Sequence, residues 1–141
     1  MSITQLSIFI ENKVGRMLDV TGILKDANID IKAMSLSDNA DYGILRLIVS
    51  DPIRAYDVLS QKNIICKKTE VLAAIISHSP GALHDLLEAL INNNINVEYM
   101  YVAASKDVEN VVIILSVDKV EQAIVAIKSS GISKASLENL M

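Results

Sequence analysis

Two kinds of hydrophobic spacing follow one another along this chain, and the sequence of them is written twice. Residues 3–10 alternate, with Leu6, Ile8 and Ile10 on one face and Ser7 and Phe9 on the other, which predicts a strand. Glu11-Asn12-Lys13-Val14-Gly15-Arg16 is a polar turn, and after it Met17, Val20, Ile23, Leu24 and Ala27 recur at helical spacing up to Asn28. Ile29-Asp30-Ile31 opens a second strand in which Ile29, Ile31 and Ala33 alternate with Asp30, Lys32 and Met34. Ser37-Asp38-Asn39-Ala40-Asp41 is a turn cluster, and residues 42–50 form a third strand that pairs with the second as an antiparallel hairpin. Asp51 and Pro52 suit the N-cap and first position of a second helix, with Ile53, Tyr56, Val58 and Leu59 as its apolar stripe. Residues 63–68 form a fourth strand.

The second half repeats that order. An apolar run over residues 71–76 leads to the turn Ser77-His78-Ser79-Pro80-Gly81 and then to a helix marked by Leu83, Leu86, Leu87, Leu90 and Ile91. Asn92-Asn93-Asn94 ends it. Strands over 95–104 and 108–117 flank the turn Ser105-Lys106-Asp107; Asp118 caps a helix carrying Val120, Ala123, Ile124 and Ile127, Gly131 stops it, and residues 132–137 form the last strand. Gly15 and Gly81 lie 66 residues apart, as do Leu24 and Leu90, Asn28 and Asn94, Ile29 and Ile95, and Met34 and Met100. The chain is therefore two copies of one βαββαβ unit, 1–69 and 70–141, directly abutted at Thr69-Glu70. That order predicts an α+β fold of two tandem ferredoxin-like sandwiches, each an antiparallel sheet with both helices on one face. The opposite face, assigned Phe9, Met34, Ile48, Met100 and Ile114, is too apolar to be left in water.

Composition sharpens this picture. Of 141 residues 51% are hydrophobic and the mean hydropathy is +0.37, while units of about 70 residues sit where a lone core is marginal. Self-association, as a homodimer, is the expected consequence. A net charge of −4 and a pI near 5.1 argue against nucleic acid as a partner, which needs a basic face. The longest apolar runs, 71–76 and 111–115, are far short of the roughly 20 residues that span a bilayer. No membrane partner and no secretory leader are expected, and the location expected is cytoplasmic.

Catalytic chemistry finds little support. His78 and His84, the two histidines, are six residues apart and cannot share a helical turn as metal ligands do at i, i+4. Cys66 stands alone with no base in view, and Asp38, Asp41 and Asp51 are accounted for by turns and a cap. No catalytic residue, metal or cofactor is assigned, and no enzyme activity is expected. The informative feature is the glycine turn before the first helix of each unit. Amides of a first helical turn lack intrahelical partners, the helix dipole adds positive charge, and glycine lets a ligand approach the backbone. Such a turn suits a small carboxylate. The plainer alternatives are a tight turn at Gly15 and Gly81, water-facing polar residues at Asp30 and Asn96, and packing for Met17, Met34 and Met100.

Ser79-Pro80-Gly81-Ala82-Leu83 followed by Asn94-Ile95-Asn96-Val97 resembles the signature of the ACT domain, the small-molecule-sensing module of amino-acid metabolic enzymes. The first unit carries a weaker version, Val14-Gly15-Arg16-Met17 with Asn28-Ile29-Asp30-Ile31, where Val14 stands in place of the usual proline. The resemblance implies a regulatory protein that binds a free amino acid at the turn of one unit, closed by the start of strand two of a neighbouring unit. The implied contacts are Asn12, Val14, Gly15, Arg16 and Met17 in the first unit and His78, Ser79, Pro80, Gly81, Ala82 and Leu83 in the second. Asp30 and Asn96 hold the strand position that supplies a side-chain partner in the similar regulatory domain of phosphoglycerate dehydrogenase. The alternative is a non-catalytic adaptor whose sheet faces bind a metabolic enzyme or a transporter.

Overall fold

The first strand, β1, spans Ser2–Glu11, and from Leu6 onward its residues alternate between buried and less buried positions. The computed structural model describes every residue except Met1, Asn12, Asn39 and Ala40. After β1 come helix α1 (Arg16–Asp26), strands β2 (Ile31–Asp38) and β3 (Tyr42–Val49), helix α2 (Pro52–Gln61) and strand β4 (Cys66–Ser77). Helix α3 (Ala82–Ile91), strands β5 (Val97–Ala104) and β6 (Asn110–Val117), helix α4 (Val120–Ser129) and the short strand β7 (Ser133–Lys134) complete the second copy. A 3-10 turn, Leu137–Asn139, follows.

The chain divides into two compact units, Thr4–Thr69 and Glu70–Met141, the latter taking in Ser2 and Ile3. In the first unit β3 pairs antiparallel with both β1 and β2, and the Phe9 amide donates to Ile65 O at 3.1 Å just ahead of β4. Leu6, Ile8, Leu24, Leu45, Leu47 and Leu59 are fully buried between sheet and helices. In the second unit the order is β7-β4-β6-β5, all antiparallel. Its core is built by Leu72, Leu86, Leu90, Leu115, Ala123 and Ile127. Each fully buried Leu or Ile contributes about 1.5–3 kcal/mol of transfer free energy. Both units are ferredoxin-like sandwiches.

Helices α1, α2, α3 and α4 stop in the same way. Asn28, Asn63, Asn94 and Gly131 adopt φ of 57°, 60°, 57° and 78°, the left-handed region. The amide of the isoleucine after each then reaches back to a carbonyl in the last turn: Ile29 to Leu24, Ile64 to Leu59, Ile95 to Leu90 and Ile132 to Ile127, at 2.9–3.2 Å. These are Schellman ends, with Asn or Gly chosen because other residues strain there.

Several sequence expectations need correction. The strand predicted over 63–68 starts later, because Asn63 and Ile64 belong to the end of α2. It does not stop at Thr69-Glu70: β4 continues to Ser77, since no glycine, proline or asparagine interrupts the extended chain. Ser37 and Asp38 remain in β2 rather than in a turn, whereas Asn39 and Ala40 lie outside the described residues. Ile53, assigned to the stripe of α2, is 70% exposed, and Ala55 takes the buried place beside Leu59. Asp118 does not cap α4; its Oδ1 accepts from the Asn96 amide at 3.0 Å, and Lys119 is the N-cap residue, its side chain making no capping bond to the helix. The last strand is only Ser133–Lys134.

The most consequential difference lies in β2 and β5. The register shifts between Ile31 and Ala33, and again between Val97 and Tyr99, so each strand carries a bulge. Met34 faces core residue Leu47, and Met100 faces Leu115. Opposed residues share a sheet face. Both methionines therefore lie on the helix-bearing face and not, as the alternation predicts, with Phe9 and Ile48. They are 46% and 40% exposed because β2 and β5 form the edge of their units, while Ile48 and Ile114 are fully buried.

Candidate functional site

Glu11, at the end of β1, leads into the first turn. Lys13 folds back on it twice: its amide donates to Glu11 O at 2.8 Å, and its ammonium pairs with the Glu11 carboxylate at 2.8 Å. Hydrogen bonding and charge from Lys13, with a smaller contribution from Arg16, hold the Glu11 carboxyl below its usual range. Gly15 follows as the N-cap of α1 with φ 89° and ψ −8°, and no side-chain cap closes the helix. The Arg16 amide donates to Lys13 O at 3.3 Å and the Asp19 amide to Gly15 O at 3.0 Å. Between them the amides of Met17 and Leu18 open the helix with no carbonyl four residues back inside it. Where a Cβ on Gly15 would stand there is nothing within 4 Å.

The second turn has the same geometry. Gly81 has φ 88° and ψ −12°, the Ala82 amide donates to Ser79 O at 3.3 Å, and the Asp85 amide donates to Gly81 O at 3.0 Å. No side chain caps α3, and the Cβ position of Gly81 is likewise open. Val14 and Pro80 thus support one backbone path. The side chains around the two turns differ. His78 donates its amide to Glu109 O at 2.8 Å, and the hydroxyls of Ser77 and Ser79 meet at 2.6 Å, where the first unit has charged residues. His84, on the first turn of α3, pairs with Glu88 at 3.5 Å on the helix surface.

The expected contacts Val14, Gly15 and Arg16, and likewise His78, Ser79, Pro80, Gly81 and Leu83, are exposed around their turns; Met17 and Ala82 are half-buried. Asn12 lies outside the described residues. Asp30 and Asn96 are not brought to the turn of their own unit. Each stands past the far end of its helix, and the 11 residues of α1 span about 16 Å. The Ser50 amide donates to Asp30 O at 2.9 Å, the Asp30 amide donates to the Ser50 hydroxyl oxygen at 3.0 Å, and the Asp30 carboxylate pairs with Lys32 at 3.1 Å. It borders an open cavity of about 520 Å³ together with Thr21, Lys25 and Asn28. Asn96 exchanges the matching bonds with Asp118, and Lys119 Nζ donates to Asn94 O at 2.7 Å beside it.

Sequence reasoning missed the surroundings of the first turn. A cavity of about 490 Å³ opens beside Arg16, bordered by Glu11, Tyr42, Lys62 and Ile65. Lys62 and Ile65 are nearly fifty residues from Arg16 in the chain, and no short motif joins them. Among the described residues no group of His, Cys, Asp and Glu is arranged to hold a metal. Cys66 is half-buried, and desolvation pushes its thiol up to about 11 against the opposing charge of Lys68, which leaves it a poor nucleophile. Among the described residues no helix is long and apolar enough to cross a membrane.

Residues 1–141 match the family model described as an ACT domain pair. Among solved structures, the chain is similar to protein BT0572 from Bacteroides thetaiotaomicron, with a TM-score of 0.91 and 35% identity over 96% of this chain and 92% of that one. It is also similar to the ligand-free regulatory subunit of aspartate kinase from Thermus thermophilus, at a TM-score of 0.65 and 14% identity, covering 90% and 91% of the two chains. The corresponding subunit from Thermus flavus gives 0.63 and 13%, covering 91% and 92%. At such identities the two kinase subunits share the fold. No curated protein matches the chain.

Proposed function

The chain belongs to the ACT domain pair family, and on that premise we propose that it is a non-catalytic regulatory module that binds a free amino acid at its glycine turns. Its two ACT domains are 1–69 and 70–141. The observation that carries this reading is the pair of uncapped helix starts, each led by a glycine with φ near 90° and open space above it. The α-carboxylate lies over the turn at Val14, Gly15, Arg16 and Met17, or at His78 to Leu83 in the second unit, and accepts the exposed amides. The dipole of the helix favours the negative charge there.

Asp30 and Asn96, the expected partners of the α-ammonium, stand at the opposite end of the helix from the turn of their own unit. A neighbouring ACT unit supplies that partner through the start of its own β2 or β5, and the regulatory signal is a change in association. The energetics are adequate. Binding in the millimolar to micromolar range needs about 4–8 kcal/mol. A few charge-assisted hydrogen bonds of about 1.5–3 kcal/mol each, less the cost of association, reach that range.

Isothermal titration calorimetry with each of the twenty amino acids tests the reading. At least one should bind with a dissociation constant below millimolar, and Gly15→Val combined with Gly81→Val should weaken it by at least tenfold. If no amino acid gives heat, or the double variant binds as before, the reading fails.

A further inference from the structure

The cavity beside Arg16 has a composition that selects among ligands. It measures about 490 Å³, within the range of sites for small molecules. Phe9, Ile10, Val20, Tyr42, Ile64 and Ile65 form most of its wall. The Phe9 and Tyr42 rings stand 6.3 Å apart at 51°, presenting a tilted aromatic pair on one side. Ile10 and Val20 belong to the opposite, core-facing side of the sheet. The hollow therefore passes around the end of β1, where β4 has not yet begun.

Its charged groups are unequal. Glu11 already holds Lys13 at 2.8 Å, and Arg16 shares one guanidinium nitrogen with Asp19 at 3.3 Å. Lys62 has no ion-pair partner among the described residues. An apolar wall with a cationic rim fits an anion that carries an apolar body.

The second unit lacks this combination. At the positions matching Glu11, Arg16, Tyr42, Lys62 and Ile65 it has Ser77, Ala82, Asn110, Ser130 and Ser133. Both cations, the carboxylate and the aromatic ring are gone, and Ser133 is drawn into β7 against Ile75. Yet the backbone is the same, since Asn63 and Gly131 share the left-handed turn. The difference between units lies in side chains that a ligand would meet.

We infer that the first unit takes a monocarboxylate with an aromatic or branched apolar body, its body in the cavity and its carboxylate toward Arg16 and Lys62, one per chain. This rests on the glycine-turn reading only in that Arg16 belongs to the turn; the cavity is a separate observation. Ligands with polar or absent side chains leave the Phe9–Tyr42 wall wet and gain nothing from it.

The test is calorimetry on the full chain with L-phenylalanine, L-leucine, glycine, L-aspartate and phenylacetate, repeated on Ile65→Glu and Lys62→Glu. Both positions are exposed, and melting temperatures within a few degrees of the parent show that the variants fold. L-Phenylalanine or L-leucine should bind at least tenfold more tightly than glycine and L-aspartate, near one per chain. Each variant should weaken that binding at least tenfold. Phenylacetate binding that both variants weaken while no amino acid binds would uphold the cavity and defeat the amino-acid reading. Glycine or aspartate binding as tightly as phenylalanine and leucine, with neither variant mattering, would defeat the cavity and leave the turns intact. Absence of heat from all five overturns the inference.

Discussion

At Gly15 and Gly81 a single hydrogen in place of a side chain decides the local structure. A φ near +90° strains any residue with a Cβ, by about 1–2 kcal/mol, even though the space above each glycine is open. Gly15→Ala should therefore lower stability to urea by about that amount without disturbing the core. A loss above about 3 kcal/mol would mean that the turn is packed rather than open. Cys66 reports on burial. With its thiol raised to about 11 from an ordinary 9.0, the folded protein holds about a hundredfold less thiolate at pH 8 than the unfolded chain. Iodoacetamide should modify it slowly until urea unfolds the protein; equal rates in both states would contradict the burial. The sign follows from the raised value: Cys66 favours the folded state at neutral pH and loses that contribution as pH climbs through 9 toward 11. Both glycines were legible in the sequence from their matched spacing. Asp118 was not, because a carboxylate next to a helix start can cap that helix or bind a neighbouring strand. Here the Asn96 amide lay within its reach.

Four Schellman ends built on Asn or Gly followed by Ile punctuate the chain, and three of those left-handed residues are asparagines. Asn94→Val should cost about 1–2 kcal/mol, from left-handed strain at a β-branched residue, whereas Asn94→Gly should be neutral or slightly stabilising; thermal unfolding of the pair measures the difference. Asp51 accepts the Arg54 amide at 3.1 Å, so Asp51→Ala should cost about 1 kcal/mol. The βαββαβ order was legible because the period switches cleanly between two and 3.6. The bulges were not. An alternation of Ile29, Ile31 and Ala33 continues smoothly in the letters, and only pairing with β3 shows that the extra residue turns Met34 to the other face. Likewise the run of apolar residues in β4 carries no mark of where one unit ends.

For the whole molecule, two copies of one sandwich have kept the same turns and changed what surrounds them. The edge strands expose apolar residues on their helix-bearing side, Met34 and Leu36 in one unit and Met100 and Val102 in the other. The proposed homodimer would cover them. Leu36→Glu with Val102→Glu should move the chain toward monomer in sedimentation velocity; an unchanged dimer would place the contact elsewhere. The repeat made the family resemblance readable, whereas the cavity was invisible because its walls come from β1, α1, β3 and the approach to β4.

In the proposed mode of binding, free backbone amides at a glycine-led helix start receive the ligand. Two-dimensional amide NMR during an amino-acid titration tests it most directly. The largest shifts should fall on the amides of residues 15–18, or of 81–84, and saturate together with the calorimetric heat. Saturable binding that leaves those amides unmoved while shifting others would contradict it.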